Sequence, residues 1–445
     1  MMLLSGQQRA AQPADDRSCL RPGAAVAPWI LVPLILAAAA AGPLAASAAD
    51  QQDTLQKAMA PPDETAADAE NTYTVFGEDQ ESYDSNIFRL PANVDVATLV
   101  GAGAARADHI NTASLGADGQ WSSGRQKVTV DLRADDNRFS RNSDLDNISG
   151  NDRVAWNWGF SNALSGQVGA SYYRTLASFI NSNVFSKNLL DSTAYYGTAR
   201  YQVGPRWALY GGVLKSENTL TAPASKENDN SNKEVDFGTE LATDLKNSIG
   251  LEYRYTDAVF PHAIDLDNRL LTGDYREDTG RIVVKRELTE KTSLDANFGY
   301  LKRDYTTPEI RSFSGDVWHV TVAWQGTEKT QVTFDAWRRL QAYLTAESEY
   351  FVSKGVSLTP TWSASEKISL SFLASYEPQD YAGSGLVSTA VPRRDTVTAE
   401  QAAVNYTPIR ALIVNVSYRH EKRTSNEQPF VYDDKIASAS ITVQF

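Results

Sequence analysis

The sequence is poor in the residues that build metal centres, disulfide frameworks and cofactor sites. Its single cysteine, Cys19, precludes an intrachain disulfide and any cysteine-rich zinc or iron–sulfur site. The four histidines are widely spaced and form no helical metal-binding pair. No Gly-x-Ser-x-Gly motif is present, and residues 101–106 (GAGAAR) lack the third glycine of a dinucleotide-binding loop. We therefore expect no enzyme activity, no cofactor and no metal.

Basic residues are scarce relative to acidic ones. The chain has 42 lysines and arginines against 55 acidic residues, which gives a formal net charge of −13. A nucleic-acid partner is therefore not expected, because proteins that bind nucleic acids carry a basic surface. The mean hydropathy of −0.38 excludes a bundle of transmembrane helices. It is compatible with a membrane β-barrel, in which only one face of each strand is apolar.

Residues 1–48 have the pattern of a secretory signal. Arginines precede an apolar run that begins at Ala24, and Ala46-Ser47-Ala48 matches a small-x-small cleavage site. We predict cleavage after Ala48. The alternative is an uncleaved membrane anchor, because the apolar run is long enough to span a bilayer. Residues 49–71 are rich in Ala, Asp, Glu and Pro and are predicted to form a flexible acidic segment in the periplasm.

The body of the chain, residues 72–445, alternates between apolar and polar side chains with a period of two. In residues 127–135, for example, Val128, Val130 and Leu132 are separated by polar or charged residues. This alternation predicts strands that have one apolar and one polar face. A soluble β-sandwich would show the same pattern, so the connections between strands have to decide between the two folds.

Short turns and long polar loops succeed each other in strict alternation along the chain. The short turns are predicted at residues 122–125, 161–165, 204–206, 244–247, 288–292, 326–329, 363–366 and 407–410, and the long loops at residues 84–105, 136–148, 177–191, 216–232, 257–269, 304–314, 340–349, 378–394 and 422–430. Outer-membrane barrels combine short periplasmic turns with longer external loops. We therefore predict an all-β fold, a transmembrane up-and-down antiparallel β-barrel of about eighteen strands, with about sixteen as the alternative.

Aromatic residues are predicted at the outward ends of many strands, for example Trp121 before a short turn and Tyr300 before a long loop. Such residues would form a girdle at each membrane interface. Arg174 and Arg338 are predicted to face outward just beyond the tyrosines, at the level of the lipid headgroups.

The polar strand faces would line an aqueous lumen. Inward basic and acidic side chains are predicted in nearly equal numbers, so we expect a lumen with almost no net charge. The candidate solute-contacting residues are Arg133, Arg153, Arg200, Arg254, Lys285, Arg303, Arg339, Arg419, Asp131, Asp295 and Asp335. Each can contact a passing hydrophilic substrate or belong to a solvated wall that pairs its own charges. His319 is predicted to face the lumen with no carboxylate placed to orient it.

Residues 83–91 (YDSNIFRLP) resemble a signature of outer-membrane β-barrel proteins of exopolysaccharide-biosynthesis operons, often called EpsL, within a wider group of β-barrel porins. The resemblance extends over residues 72–445, including the terminal Phe445. It implies a location in the outer membrane of a Gram-negative bacterium and a role in secreting an exopolysaccharide. The family offers no catalytic residues to carry over.

Three functions are open at this point. A pore that assists exopolysaccharide secretion is favoured, and the alternatives are a general or solute-specific diffusion porin and an assembly or adhesion protein that binds surface polysaccharide. The expected partners are outer-membrane lipid and lipopolysaccharide, the exopolysaccharide chain and a polysaccharide synthesis and export complex. The barrel-assembly machinery is a further expected partner, and Phe445 is the predicted assembly signal that it reads.

Overall fold

The computed structural model describes residues 71–445 except residues 183, 245, 263, 267–268, 272, 308–311, 343–347 and 384–390. The predicted secretory signal, residues 1–48, and the acidic segment as far as residue 70 lie outside the described residues.

Strands make up most of the described chain. They are β1 Thr72–Asp84, β2 Asp108–Ser123, β3 Gln126–Phe139, β4 Asn147–Gly159, β5 Leu164–Leu176, β6 Leu189–Val203, β7 Trp207–Leu220, β8 Asn230–Ala242, β9 Ser248–Val259, β10 Ile264–Leu266, β11 Arg269–Leu271, β12 Tyr275–Thr289, β13 Thr292–Tyr305, β14 Phe313–Thr327, β15 Thr330–Ala342, β16 Ser348–Ser363, β17 Ile368–Gly383, β18 Arg394–Ile409, β19 Leu412–Ser425 and β20 Tyr432–Gln444. One short helix, α1 (Val96–Leu99), lies in the β1–β2 connection, and 3₁₀ turns cover Ser143–Leu145, Pro223–Asn228 and Gln428–Phe430. Among the described residues, no helix is long and apolar enough to cross a membrane.

The main sheet has 18 strands and closes on itself. Successive strands pair antiparallel, with β9 pairing directly to β12 while β10 and β11 form a separate hairpin. The first strand pairs with β2 on one side and with the last strand, β20, on the other. The predicted barrel is therefore confirmed with eighteen strands, and the alternative of sixteen is wrong. Closure gives each strand a neighbour on both sides, which satisfies the backbone groups inside a membrane.

The outer wall is apolar because one strand face carries the large hydrophobic side chains. Leu132, Val154 and Leu251 are exposed on it. Exposed aromatic side chains lie near both ends of the strands: Trp121, Trp324, Trp362, Tyr406 and Phe445 on the side of the short turns, and Tyr300, Tyr376 and Tyr418 on the side of the long loops. This arrangement is typical of the two interfacial girdles of a membrane barrel.

The short turns are tight, and two of them require glycine. Gly124 between β2 and β3 has φ 57° and Gly204 between β6 and β7 has φ 73°, which are left-handed conformations that side chains disfavour.

Some predicted loops are too long. The loop predicted at residues 216–232 is only residues 221–229, because β7 and β8 extend further. In those extensions both strand faces are polar, so the alternation that marks a strand in the sequence is lost.

Candidate functional site

The lumen is lined by the side chains that alternate with the exposed apolar ones, and many of them pair across strands. The Arg133 side chain donates to Asp135 (2.7 Å) and to Glu78 on β1 (2.8 Å). Arg200 pairs with Glu240 at 2.9 Å. Ion pairs within one strand, or between strands that are two apart in the sheet, therefore account for much of the inward charge.

Four other predicted lumen residues also lie next to polar or charged side chains. Arg153 donates to the Tyr196 hydroxyl (3.2 Å), Arg419 pairs with Glu421, Asp131 lies opposite Asp118 and Arg153 in the strand register, and Lys285 lies opposite Asp295.

Two of the predicted arginines are buried in the wall. Arg254 on β9 contacts Asp236 at 2.6 Å and Glu234 at 3.1 Å on β8, and its side chain is only 3% exposed. Arg303 on β13 pairs with Glu277 at 2.6 Å and lies 3.9 Å from the centre of the Tyr275 ring. Removing one partner of such a pair leaves a buried charge uncompensated. For these two residues the geometry favours a structural role over contact with solute.

A second group of lumen side chains is accessible. The Arg339 side chain on β15 is 43% exposed, and the Glu377 carboxylate is 3.9 Å away from it. His319 on β14 is 50% exposed and lies 3.4 Å from Asp335, so the prediction that no carboxylate orients it is wrong. Asp295 on β13 is also exposed. A passing solute can reach these side chains, which we call the β13–β15 patch: Asp295, His319, Asp335, Trp337 and Arg339.

Trp337 lies flat against the wall in the middle of this patch. It is the register partner of His319, and its ring covers Gly355 on β16 so closely that a Cβ there would lie 2.2 Å from a ring atom. Its Nε1 donates to Ser353 Oγ (3.1 Å), and the Arg339 guanidinium is 5.3 Å from its ring centre. Glycine at position 355 therefore lets a large ring line the lumen without protruding into it.

The first loop, residues 85–107, packs on the inner side of the barrel. Ile87, Phe88 and Leu90 form a buried cluster with Phe139 at the end of β3 and Phe179 of the β5–β6 connection. The Phe88 and Phe179 ring centres are 5.1 Å apart. Hydrophobic burial therefore holds two long connections together at the end of the barrel that carries the long loops.

The signature residues of this loop also hold the barrel seam. The Asn86 side chain donates to the carbonyls of Leu90 (2.8 Å) and Asp433 (3.2 Å). Arg89, at φ 54°, pairs with Asp84 at 3.0 Å and with Asp434 at 3.1 Å. Burial alone would lower the pKa of the Arg89 guanidinium, but these two carboxylates raise it above its usual value. The signature thus joins the end of β1 to the start of β20.

Residues 177–182 and 184–188, which we call the crossing loop, extend from β5 and β6 to the far wall. The Asn181 side-chain oxygen accepts hydrogen bonds from Arg393 (3.1 Å) and from Arg423 on β19 (2.6 Å). Arg423 also donates to the carbonyl of Ile180 (2.5 Å). In one direction around the barrel, strands β1–β4 and β20 lie between β5–β6 and β18–β19. In the other direction, strands β7–β9 and β12–β17 lie between them. The loop therefore forms a chord across the barrel mouth.

The chord divides the mouth into two unequal parts. The smaller part, under β1–β4 and β20, contains the first loop and its buried cluster. The larger part is bounded by β7–β9 and β12–β17 and includes the β13–β15 patch. The accessible lumen side chains therefore lie on the side of the barrel that belongs to the larger part.

Several charged residues of the lumen and mouth are absent from the predicted set. The acidic ones are Glu78, Glu234, Asp236, Glu277, Asp395, Glu421 and Asp434, and the basic ones are Arg281, Arg393 and Arg423. This set contains seven acidic and three basic side chains. The near-neutral lining stays a prediction. Strand parity could have found most of them, but Arg393 lies in a loop and carries no such signal. No group of His, Cys, Asp and Glu side chains suited to a metal ion occurs in the described part of the chain.

Comparisons with known proteins agree with this architecture. The model of a family described as "Putative beta-barrel porin 2" matches residues 269–445, which is less than half of the chain. No curated protein sequence matches the chain.

Solved structures of bacterial porins match the chain at low sequence identity and with TM-scores below 0.5. Acinetobacter baumannii OccAB3 and a BenF-like porin from Pseudomonas fluorescens Pf-5 each give a TM-score of 0.46 and 10% identity, covering 84% of this chain and 99% of theirs. Pseudomonas aeruginosa OccK2 (OpdF) in complex with glucuronate gives a TM-score of 0.46 and 12% identity, covering 84% of this chain and 98% of its own. The fold assignment rests on the strand pairing and not on these similarities.

The closed barrel, its apolar outer wall and its polar lumen define a porin-like outer-membrane β-barrel. Barrels of this kind belong to the outer membrane of Gram-negative bacteria. The family match to the second half of the chain agrees with this class, which points to a channel rather than an enzyme.

Proposed function

We propose that this barrel is a diffusion porin that admits small hydrophilic solutes. The observation that carries the proposal is the crossing loop, whose tip is held on the far wall by Arg393 and Arg423. A small solute can pass through the larger part of the mouth while the loop stays in place. A hydrated polysaccharide chain would need more of the mouth, and therefore release of these contacts.

The β13–β15 patch supports the same function. It presents a cation, two carboxylates, an imidazole and a flat indole ring to the lumen, and these groups can make hydrogen bonds and stacking contacts with small polar molecules. Contacts of this kind have to be individually weak, because a solute that binds tightly does not leave the channel. The patch is therefore the part of the lumen where we expect selectivity to be set.

Export of an exopolysaccharide is the second candidate. The observation that favours it is the resemblance of residues 83–91 to the signature of that family. In this barrel, however, Asn86 and Phe88 are buried, and Arg89 bridges Asp84 and Asp434. The signature residues thus have a structural use that does not require a polymer, which weakens the argument from resemblance.

A deletion strain tests the proposal. Loss of the protein should slow the uptake of small polar nutrients when these are growth-limiting, and it should leave the amount of polysaccharide outside the cell unchanged. Complementation with the wild-type gene should restore uptake. Loss of extracellular polymer with unchanged uptake would contradict the diffusion proposal and favour export.

A further inference from the structure

The outer wall carries a concave apolar groove that the channel function does not use. It has a volume of about 830 Å³ and crosses β16–β20 and β1. At its periplasmic end it is bordered by Trp362 and at its extracellular end by Tyr83 and His109. Along its length the outward positions hold small side chains, including Ala402 and Ala437. Phe372, Val416 and Tyr418 also line the groove, and among the described residues Glu81 on β1 is the one acidic residue in its lining.

Two lysines lie just beyond the extracellular end of the groove. Lys435 is two residues from Ala437 on the same face of β20, a distance of about 7 Å along the strand. Lys422 on β19 is level with Asp433, next to Lys435. Within the described residues neither lysine forms an ion pair, whereas Lys302 and Lys354, on other outward strand faces, pair with Asp304 and Asp380.

We infer that this groove binds one acyl chain of a phosphorylated glycolipid of the outer leaflet, and that Lys422 and Lys435 bind its phosphate. The outer leaflet supplies such a molecule as the lipid A part of lipopolysaccharide. All lipid tails are apolar, so hydrophobicity alone cannot select one of them; close packing and a headgroup contact can. The groove provides the packing surface, and the lysines provide charge complementary to a phosphate.

A second copy of the barrel fits the groove less well. A two-fold interface brings the same surface of both copies together, so two concave grooves would face each other and leave a gap between them. A single flexible chain can follow one concave groove without this difficulty. The inference is independent of what passes through the lumen.

The test is the amount of lipopolysaccharide that stays with the barrel when it is extracted from outer membranes in mild detergent, measured by mass spectrometry. Ala437→Leu fills the groove, and its control, Ala199→Leu, adds the same volume at an exposed position of β6. The double variant Lys422→Gln, Lys435→Gln removes the lysine charges, and its control is Lys302→Gln, Lys354→Gln. Each variant is first checked for folding by its heat-dependent gel mobility.

Filling the groove and removing the two lysines should each lower the retained lipopolysaccharide about tenfold, and both controls should match wild type. A tenfold change corresponds to the loss of one charge-assisted hydrogen bond, and we expect the lost packing in Ala437→Leu to have an effect of the same size. Retention equal to wild type in Ala437→Leu would overturn the inference. It would also be overturned if Ala437→Leu dissociated an oligomer without changing the bound lipid, because the occupant would then be a second copy. It would be overturned as well if the variants lowered the retention of ordinary phospholipid and left that of lipopolysaccharide unchanged.

Discussion

Replacement of Arg89 should destabilise the barrel at the seam where its first and last strands meet. The guanidinium lies between Asp84 and Asp434, at 3.0 Å and 3.1 Å, and also donates to the carbonyl of Asn86 (2.6 Å). Both carboxylates are buried. In Arg89→Met these carboxylates lose their counter-charge, and breaking a buried pair in this way costs about 3–5 kcal/mol.

A matched control separates this effect from the general loss of an arginine. Arg394 at the start of β18 is 75% exposed and lies 3.6 Å from Asp380. Exposed ion pairs contribute at most about 1 kcal/mol, so Arg394→Met should change stability little. The assay is urea unfolding of the purified barrel in detergent, followed by tryptophan fluorescence and by heat-dependent gel mobility.

The difference in the free energy of unfolding between the two variants shows whether Arg89 stabilises the seam. Arg89→Met should lower the free energy of unfolding by several kcal/mol relative to Arg394→Met. The double variant Arg89→Met, Asp434→Asn should recover part of the loss, because it removes one of the two uncompensated carboxylates. Equal stability of the two single variants would refute a role for the signature in closing the seam.

Three further results are expected. Arg423→Gln should weaken the attachment of the crossing loop to β19 and raise the single-channel conductance in planar bilayers. An unchanged conductance would contradict the inference that the crossing loop restricts the mouth. Arg254→Gln should reduce the amount of folded barrel because Asp236 loses its cation, whereas Arg339→Gln should fold normally and change solute selectivity. If Arg339→Gln impaired folding and Arg254→Gln changed only selectivity, the assignment of Arg254 to structure and Arg339 to solute contact would be wrong. Deleting Phe445 should lower the amount of heat-modifiable barrel in the membrane while synthesis continues, and an unchanged amount would reject its role as an assembly signal.

The fold could be predicted because the features that define a membrane barrel depend on residues that are close together in the sequence. Alternation with a period of two marks each strand, and the alternating loop lengths give the strand number. Both signals fail where strands extend beyond the membrane, as at residues 216–220 of β7, because both faces are polar there.

The site was less predictable because it depends on contacts between distant parts of the chain. Parity placed Arg254 and Arg339 on the inner face, but it could not tell that the first is buried among carboxylates of β8 while the second is exposed. The crossing loop gave no local signal at all, since Asn181 and Arg423 are 242 residues apart in the chain. The signature at residues 83–91 was recognised only as a family resemblance, and its role at the seam needed the position of β20.

If the barrel is a diffusion porin, its lumen conducts small solutes past a fixed crossing loop. Liposomes that contain the purified barrel show this conduction through their swelling in neutral sugars of increasing size. We predict rapid swelling with monosaccharides, a steep fall with oligosaccharide length and a shift of this limit to larger sugars in Arg423→Gln. Swelling that is absent with every sugar, or equally fast with long oligosaccharides in wild type and Arg423→Gln, would contradict the claim.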